Sequence, residues 1–461
     1  MFHDLNSLSV MDTSSHKLTS EFFIPSNTTL RNYQNDAIEA WFAHKCQGLL
    51  EMATGAGKTI TALAASVCLY ERENRLAVIV TVPYQHLVDQ WQQEAREFGY
   101  RPILAYKSKT SWLQNLNHQI MEYNGGYRQT IAVITTHTTF SKSEFQDCIA
   151  RLKGASLLIA DEAHHLGAKN HRQHYPGHIH FRLALSATPD RWFDDIGTLA
   201  LRNYFGKTVF SFPLENAIGI SLTPYYYYPH LVSLTDGELD QYYELTRKIA
   251  RSINSKDENK LQTLEMLLIR RAKLMNNAEN KLVILSDLLH NQSDITHTLF
   301  YSAPEQIDKV LRLLGWEKGL ITHQFTAEEN TQKRQQLLTD FAHGKLQALV
   351  AMKCLDEGVD VPSTNTAYIL ASSGNPREFI QRRGRILRKF PGKEYSYIHD
   401  LITVPPMVNT NVRDSPTFGL ERSIIRKELQ RFKEFANLAK NKQKALDVIW
   451  DIAKQYGLLD F

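Results

Sequence analysis

Short apolar runs recur along the first half of the chain, and most are followed by polar residues and then by a helical pattern. Residues 76–82, 131–136, 156–160 and 183–189 are apolar over most of their length. Strands that are buried on both faces of a parallel sheet have this composition. Because helical segments separate these runs, the pattern predicts an α/β domain built on a parallel sheet.

The same alternation returns in the second half of the chain. Apolar runs occupy residues 298–302, 347–352 and 366–371, and helical spacing occupies residues 305–314 and 331–341. Residues 235–281 and 418–461 have helical spacing without intervening strands. The sequence therefore predicts two tandem α/β domains of parallel sheets flanked by helices, with a helical insertion and a helical C-terminal tail.

Four consecutive tyrosines, residues 225–228, form a strand-like aromatic run. Aromatic side chains of this kind can stack on nucleic-acid bases. Alternate packing on the two faces of an edge strand is the simpler interpretation, and we prefer it here.

Composition limits the class of protein. The chain has 461 residues, a net charge of +4, and 22% charged and 43% hydrophobic residues, as in globular proteins of two or three domains. The four cysteines are far apart in sequence and predict reduced core thiols. No window of 18 apolar residues predicts a membrane span, and the N-terminus has no secretory pattern. We therefore expect a cytoplasmic protein with no membrane partner.

A glycine-rich segment, Ala53-Thr-Gly-Ala-Gly-Lys-Thr59, lies between an apolar run and a helical pattern. A loop of this kind binds phosphate through its backbone N–H groups and the positive end of the following helix. Lys58 would reach the β- and γ-phosphates, and Thr59 would hold Mg²⁺. Met52 stands where the strict phosphate-loop pattern has glycine. The alternative is a chance glycine loop before a buried helix.

Two carboxylates follow the apolar run at 156–160. Asp161 and Glu162 would lie at the carboxyl end of a strand, where α/β sheets bind ligands. Asp161 would hold Mg²⁺ and Glu162 would polarise an attacking water. Ser186 and Thr188 end the next run and are suited to hydrogen bonds between this site and a second domain. Six histidines between positions 164 and 180 fit no zinc pattern, so we expect a polar loop with a functional His164.

Basic residues are concentrated in three segments of the second half. Four arginines lie within Gln381-Arg-Arg-Gly-Arg-Ile-Leu-Arg388. Residues 247–281 hold nine Lys or Arg against four acidic residues, and residues 421–444 hold eight against three. Arginines can stabilise the charge on a transferred phosphate, whereas a solvated helical face is the ordinary role of the other two segments.

The order of these motifs resembles the superfamily 2 helicases over roughly residues 30–400. The matching motifs are Leu30-Arg-Asn-Tyr-Gln34, the glycine loop, Thr81-Val-Pro83, Ile134-Thr-Thr-His137, Asp161-Glu-Ala-His164, Ser186-Ala-Thr188, Glu357-Gly-Val-Asp360 and the arginine segment. The sequences Asp-Glu-Ala-His-His and Ser-Ala-Thr-Pro-Asp-Arg, with the last two motifs, look most like the DEAH-type branch that contains XPB, RadD, UvsW and restriction-enzyme motors. A similarity to helicases of phosphorothioation-linked restriction systems is also suggested.

This resemblance implies two RecA-like domains that bind ATP and Mg²⁺ between them. It implies domains at 29–215 and 282–403, an N-terminal arm at 1–28, a crossing segment with a helical insertion at 216–281, and a linker with a helical tail at 404–461. By motif position, the ATP-binding residues are Arg31, Gln34, Thr54, Gly55, Ala56, Gly57, Lys58, Thr59 and Asp360. The catalytic residues are Lys58, Glu162, Arg385 and Arg388, and Thr59 and Asp161 bind Mg²⁺. The residues that couple the site to nucleic acid are His164, Ser186, Thr188, Gly358, Gln381 and Arg382.

The function implied is an ATP-dependent DNA helicase or translocase in repair, restriction or phage defence. The second hypothesis is an ATP-hydrolysing nucleic-acid sensor or switch within a defence complex, without processive unwinding. RNA is not excluded as the track, because nothing in the sequence distinguishes a 2′-hydroxyl. No nuclease signature is visible, so a partner protein would have to cut the DNA.

Overall fold

The computed structural model describes residues 22–458, except for 192–193, 253–257, 291, 293–294, 327–328, 353–360, 372–375, 405–421, 423–424, 427–428 and 430–431. The chain divides into two compact units: residues 1–50 with 59–210, and residues 51–58 with 211–461. Among the described residues, no helix is long and apolar enough to cross a membrane.

The first seven strands form one sheet in the order β3-β4-β2-β5-β6-β1-β7. The pairs β3–β4, β4–β2, β2–β5 and β5–β6 are parallel. Strands β2, β4 and β5 are buried along their whole length, as expected for strands covered on both faces. The strands are Gln47–Met52 (β1), Leu76–Val82 (β2), Ile103–Ala105 (β3), Thr130–Thr136 (β4), Ser156–Ala160 (β5), Phe181–Ser186 (β6) and Thr208–Phe212 (β7).

Helices connect these strands and supply the hydrophobic cover. Trp112, Phe140, Phe145 and Phe205 pack from helices and loops against apolar side chains of the sheet, such as Ile79. The helices are Asn32–Ala43 (α1), Lys58–Glu73 (α2), Gln85–Glu97 (α3), Leu113–Asn124 (α4), His137–Phe140 (α5), Ser143–Ile149 (α6), Lys169–Arg172 (α7), Asp195–Phe205 (α8) and Leu214–Ala217 (α9).

The second sheet is parallel throughout, in the order β10-β11-β9-β12-β13-β8. Its strands are Tyr225–Val232 (β8), Thr298–Tyr301 (β9), Thr322–Phe325 (β10), Ala348–Ala351 (β11), Thr366–Ile369 (β12) and Ser396–Thr403 (β13). The two sheets with their flanking helices confirm the predicted fold class of two α/β domains.

Helices flank the second sheet as well. Residues 236–252, 258–276 and 280–290 form three helices, and Val310, Leu313 and Leu314 pack beside Phe300 in the core of this unit. The helices are Asp236–Ser252 (α10), Glu258–Asn276 (α11), Asn280–His290 (α12), Ile307–Arg312 (α13), Thr331–Ala342 (α14), Pro376–Ile386 (α15) and Lys442–Gln455 (α16).

Strand β8 differs from the sequence-based domain plan, which placed its residues in a crossing segment. It pairs with β13 over eight residues, from Tyr225 with Ser396 to Val232 with Thr403. The partner strand lies about 170 residues further along the chain, so no local sequence pattern could have predicted the pairing. Burial alternates along most of β8, with Tyr225 and Tyr227 buried and Tyr226 and Tyr228 half-buried, which confirms the preferred interpretation of the tyrosine run.

Candidate functional site

The glycine-rich segment connects β1 to α2. Strand β1 ends at Met52 and α2 begins at Lys58, so the loop is five residues long. Gly55 and Gly57 have φ values of 85° and 76°, a region that favours glycine. The Lys58 ammonium donates a hydrogen bond to the Met52 carbonyl oxygen, with 3.3 Å between Nζ and O. The amine is therefore folded back over its own loop.

The loop has the features that a phosphate group requires. It leads into the N-terminus of a 16-residue helix, whose first N–H groups and dipole favour an anion. The buried hydroxyl of Thr54 has no hydrogen-bond partner among the described residues. Thr59 is the second residue of α2. The donors present therefore fit a phosphate with its metal ion.

Gln34 is held between its own helix and α2. The Arg31 backbone N–H donates to Gln34 Oε1 at 2.9 Å, and Gln34 Nε2 donates to the buried Thr61 hydroxyl at 3.1 Å. Arg31 itself donates from Nη1 to the Tyr33 hydroxyl at 3.3 Å. These bonds fix the Gln34 amide against the helix that follows the glycine loop, and its contact with adenine stays a prediction.

Asp161 and Glu162 follow β5 directly, as the sequence predicts. The Trp91 indole N–H donates to Asp161 Oδ2 at 2.8 Å, and the Glu162 backbone N–H donates to Oδ1 at 2.9 Å. Asp161 is also tied to β2, because its own N–H donates to the Thr81 carbonyl at 2.9 Å. Glu162 has the left-handed conformation, with φ 44° and ψ 49°, which is strained for a non-glycine residue.

His164 connects the carboxylates to the end of β6. Its Nδ1 lies 3.1 Å from the Ser186 hydroxyl and 3.5 Å from Glu162 Oε2. The Thr188 backbone N–H donates to the same Ser186 hydroxyl at 3.1 Å. His164 from one sequence motif and Ser186 and Thr188 from another therefore meet in one hydrogen-bond network within the first unit.

Arg191 anchors the loop that carries His164. Its guanidinium donates to the His164 carbonyl and pairs with Asp194 at 2.7 Å. The Gly197 N–H and Arg191 together hold the pKa of Asp194 below its usual value. Gly167 and Gly197 touch closely, since a Cβ on Gly197 would lie 2.6 Å from the Gly167 carbonyl oxygen. This contact fixes the start of α8 against the loop.

The histidines around this loop are packed against one another. The ring of His165 lies 4.3 Å from that of His164 and 6.3 Å from that of His137. Burial, with the nearby His165 and His171, holds the pKa of His137 well below its usual value. Within the described part of the chain, no group of three or more His, Cys, Asp or Glu side chains could hold a metal ion.

The arginine segment, residues 381–388, forms the second half of α15 and the two residues that follow this helix. Arg382 donates to the Ala371 carbonyl at 3.1 Å, and its guanidinium lies 4.4 Å from the Tyr301 ring centre. Arg383 donates to the Glu434 carbonyl at 3.2 Å and lies 4.4 Å from the Phe435 ring. Both side chains therefore bind the interior of the second unit.

Five further residues of the second unit were predicted to belong to the site. Gln381 and Arg388 are half-buried, and Arg385 is buried. Gly358 and Asp360 lie outside the described residues. The roles given to all five in ATP hydrolysis and coupling stay predictions.

Two family models match this chain in sequence. Residues 27–191 match the type III restriction enzyme res subunit, and residues 280–390 match the helicase conserved C-terminal domain. The two matches take in both units and all motifs of the candidate site. The chain has the two domains of a superfamily 2 helicase.

Curated relatives of this helicase include XPB-type proteins. The DNA 3'-5' translocase XPB2 of Sulfurisphaera tokodaii is 26% identical over 79% of this chain and 80% of its own length. A putative DNA 3'-5' helicase Rad25 of Haloarcula marismortui is 25% identical over 78% of this chain and 50% of its own length. A putative helicase of a Sulfolobus islandicus filamentous virus is 23% identical over 82% of this chain and 64% of its own length. This helicase thus spans only part of several relatives.

Solved structures show the same fold at low sequence identity. The ATP-dependent type ISP restriction-modification enzyme LlaBIII, bound to DNA, aligns over 91% of this helicase and 31% of its own chain, with a TM-score of 0.59 and 18% identity. The Hef helicase domain of Pyrococcus furiosus aligns over 81% and 95% of the two chains, with a TM-score of 0.52 and 16% identity. The two sheets therefore form tandem RecA-like domains.

Three residues that orient the site of this helicase were not predicted. Trp91, Thr61 and Arg191 each bond to a predicted site residue or its backbone. Trp91 follows the Thr81-Val-Pro83 motif on an ordinary amphipathic helix, and nothing in its spacing indicates a carboxylate partner 70 residues away. The sequence analysis included Arg191 only as the last residue of Ser-Ala-Thr-Pro-Asp-Arg and gave it no role of its own.

Proposed function

We propose that this helicase hydrolyses ATP to move along DNA or to separate its strands. The observation that carries the proposal is the arrangement at one sheet: β1 leads into the glycine loop and Lys58, and β5 leads into Asp161 and Glu162. This is the arrangement of residues that phosphoryl transfer requires. DNA is proposed as the track because relatives that align over most of this chain are named for DNA.

In this mechanism the residues that follow β1 bind the nucleotide, and those that follow β5 position the metal ion and the attacking water. The backbone of Gly55 to Gly57 and the Lys58 ammonium would hold the phosphates, which requires the amine to leave the Met52 carbonyl. Asp161 and Thr59 would hold Mg²⁺, which neutralises charge on the phosphate oxygens when bound. Trp91 fixes the carboxylate of Asp161, so less reorganisation is needed on binding. Glu162 would orient water and accept its proton.

His164, Ser186 and Thr188 form the proposed link from hydrolysis to movement. His164 Nδ1 faces both Glu162 and Ser186, so a change at the carboxylate can alter the hydrogen bond at the end of β6. Gly358, Gln381 and Arg382 are proposed to take part in the same coupling. Asp360 would contact the nucleotide.

Arg385 and Arg388 are proposed to stabilise charge on the transferred phosphate. A guanidinium is always protonated and its planar donors match phosphate oxygens. In related phosphoryl-transfer enzymes such arginines supply a large part of the rate enhancement. The buried position of Arg385 would strengthen this interaction relative to one in water.

The test is steady-state ATP hydrolysis by the purified chain, alone and with single-stranded DNA, duplex DNA or RNA. We expect DNA to increase turnover, and the increase to fall with added salt because the strand contacts are mainly to phosphates. Strand-displacement assays then separate unwinding from translocation on duplex. Equal turnover with and without every nucleic acid would contradict a coupled motor and favour a sensor or switch.

A place in restriction or phage defence is a finer proposal. Its support is the match to a res subunit model and the similarity of fold to a restriction-modification enzyme. Because no nuclease signature accompanies the helicase motifs in this sequence, a partner nuclease would supply cleavage. The DEAH-type assignment, the link to phosphorothioation and the cytoplasmic location remain parts of this proposal.

A further inference from the structure

A group of aromatic side chains emerges at the edge of the second sheet. Tyr226 and Tyr228 of β8, with Tyr395, are half-buried, and Tyr397 of β13 is 39% exposed. We call these four residues the tyrosine edge. Three of them lie on the face of the sheet that also bears Tyr368 and His399, since β8, β12 and β13 are in register.

The tyrosine edge is the outer end of a stack of rings. Phe300, Tyr368, His399 and Tyr228 follow one another across four neighbouring strands, with ring centres 5.0, 4.6 and 5.0 Å apart and planes within 20° of parallel. In the row beside it, Tyr226 and Tyr397 lie 5.5 Å apart at 9°. The rings therefore stand upright and stack face to face. Because β8 is the last strand, its rings end the stack.

The backbone at this edge is already occupied. The Asn441 side chain accepts from the Tyr227 N–H and donates to the Tyr227 carbonyl, both at 2.9 Å, and the Lys440 N–H donates to the Tyr225 carbonyl at 2.8 Å. These bonds take the place of a further strand along residues 225–227. An added peptide strand is therefore a poor occupant here.

The same bonds bring positive charge to the edge. Lys440, Lys442 and Lys444 are all exposed, and the segment 440–444 contains no acidic residue. Since Lys440 and Asn441 bond directly to β8, this segment runs beside the tyrosine edge. Aromatic rings next to exposed lysines are the combination that binds single-stranded nucleic acid, in which bases stack and phosphates meet positive charge.

We propose that the tyrosine edge binds an unpaired base of single-stranded nucleic acid, with Lys440, Lys442 and Lys444 contacting the neighbouring phosphates. The base adds to the end of the ring stack on Tyr226 or Tyr228. Stacking is tolerant of sequence because every base has a π face, so the site takes any unpaired segment. This contact is separate from the motifs of ATP hydrolysis and does not depend on the proposed coupling.

The first test is photocrosslinking of the full chain to a single strand of about 20 nucleotides that carries 5-iodouracil, followed by peptide mapping. We expect crosslinks within residues 225–228 or 395–397, because iodouracil reacts with aromatic rings on which it stacks. Crosslinks found only elsewhere in the chain would overturn the proposal. Competition by unlabelled oligo-dT should remove the crosslinks, whereas an abasic strand of the same length should compete poorly.

The second test compares variants by fluorescence anisotropy with labelled oligo-dT. Tyr226→Ala with Tyr397→Ala should weaken binding about tenfold. The pair Tyr226→Phe with Tyr397→Phe keeps the rings and should bind like the unmodified protein, which excludes loss of the hydroxyls as the cause. Tyr127→Ala, at a tyrosine 90% exposed in the first unit, is the matched control and should have no effect.

The lysines are tested by reversal of charge, which leaves the core untouched. Lys442→Glu with Lys444→Glu should weaken binding and reduce its salt dependence, whereas the same change at the exposed Lys333, Lys333→Glu, should do so much less. ATP turnover without nucleic acid should stay unchanged in all of these variants. Unaltered oligo-dT binding in both the tyrosine-to-alanine and the lysine variants would overturn the proposal, whatever the outcome for ATP hydrolysis.

Discussion

The two sheets of this helicase have the same architecture but hold their polar side chains differently. At the end of β5 and β6 in the first sheet, side chains bond to side chains, as Trp91 does to Asp161 and His164 to Ser186. In the second unit, buried cations bond to backbone carbonyls. Lys281 donates to the Leu370 carbonyl, and Arg383 donates to the Glu434 carbonyl while stacking on Phe435.

The difference indicates two uses of burial. A hydrogen bond between side chains fixes the orientation of a group that must meet a ligand, and it can change partner when the ligand binds. A cation bonded to a carbonyl and an aromatic face has no such freedom, and its main effect is to join elements of the fold. We therefore expect substitutions in the first network to change turnover, and most substitutions in the second to change stability.

The largest effect should come from Lys58→Ala. Removal of the ammonium that meets the phosphates should lower ATP turnover at least about a hundredfold, since such electrostatic contacts contribute most to phosphoryl transfer. Binding of nucleic acid should be largely retained. Steady-state hydrolysis and fluorescence anisotropy measure the two properties.

Lys153→Ala is the control for this substitution, because Lys153 is an exposed lysine that lies outside every motif. It should hydrolyse ATP at the unmodified rate. Normal turnover in the Lys58→Ala protein would remove the glycine loop from the mechanism and with it the distinction drawn between the two sheets.

Two neighbouring arginines test the distinction within one helix. Arg385→Ala should lower turnover by about a hundredfold while changing ATP affinity much less, because its contact is made mainly in the transition state. Arg383→Ala should instead destabilise the second unit by about 2 kcal/mol, through loss of the bond to the Glu434 carbonyl and the stacking on Phe435. Turnover, nucleotide binding and urea unfolding are the measurements.

The exposed Arg312, at the end of α13, provides the control for both. Arg312→Ala should change neither turnover nor unfolding. If Arg383→Ala abolished turnover at full stability, the assignment of its guanidinium to structure would be wrong.

Much of this site was predictable because its chemistry is local in sequence. Residues 53–59 and 161–164 each follow a strand directly, so their position in sequence alone places them at the edge of the sheet. The apolar runs likewise predicted β2, β4 and β5, whose burial is continuous. Fold class followed from the order of these runs.

The unpredicted parts depend on contacts between distant segments. Strands β10 and β13 were missed because Thr322–Phe325 and Ser396–Thr403 mix polar and apolar residues and gain stability from their partners in the sheet. Trp91 became a site residue only because α3 packs beside β4 and turns its indole towards Asp161. No pattern within a few residues of these positions carries that information.

Trp91→Phe should have a moderate effect on the first network. Phenylalanine keeps most of the packing but cannot donate to Asp161, so the carboxylate loses one fixed orientation. We expect turnover to fall about tenfold, as for loss of one hydrogen bond to a charged group, and the Mg²⁺ concentration for half-maximal turnover to rise. Titration of turnover against Mg²⁺ measures both.

Trp112→Phe is a closely matched control, because Trp112 is equally buried and its indole N–H has no hydrogen-bond partner among the described residues. It should leave the Mg²⁺ dependence unchanged. Equal effects of the two substitutions would show that lost packing, not the bond to Asp161, controls turnover.

The smallest effect should appear in the pH dependence of the second unit. Burial, together with the neighbouring His230, lowers the pKa of His399 to about 3, so the ring is neutral in its stack between Tyr368 and Tyr228. In the unfolded chain the pKa returns to about 6.5, so the unfolded state binds more protons below that pH. The stabilising contribution is therefore complete above pH 6.5 and is lost progressively as the pH falls towards 3.

His399→Phe keeps an aromatic ring in the stack and removes this titration. Between pH 7 and pH 5.5, its free energy of unfolding should fall by about 1 kcal/mol less than that of the unmodified protein. His230 faces the same ring and also has a lowered pKa because of burial, so His230→Phe should recover part of the same difference. His118→Phe, at an exposed histidine of α4, should follow the unmodified protein. An unchanged pH dependence in His399→Phe would mean that the ring of His399 takes up its proton over the same pH range in the folded and the unfolded chain, which a face-to-face stack between two tyrosines does not favour.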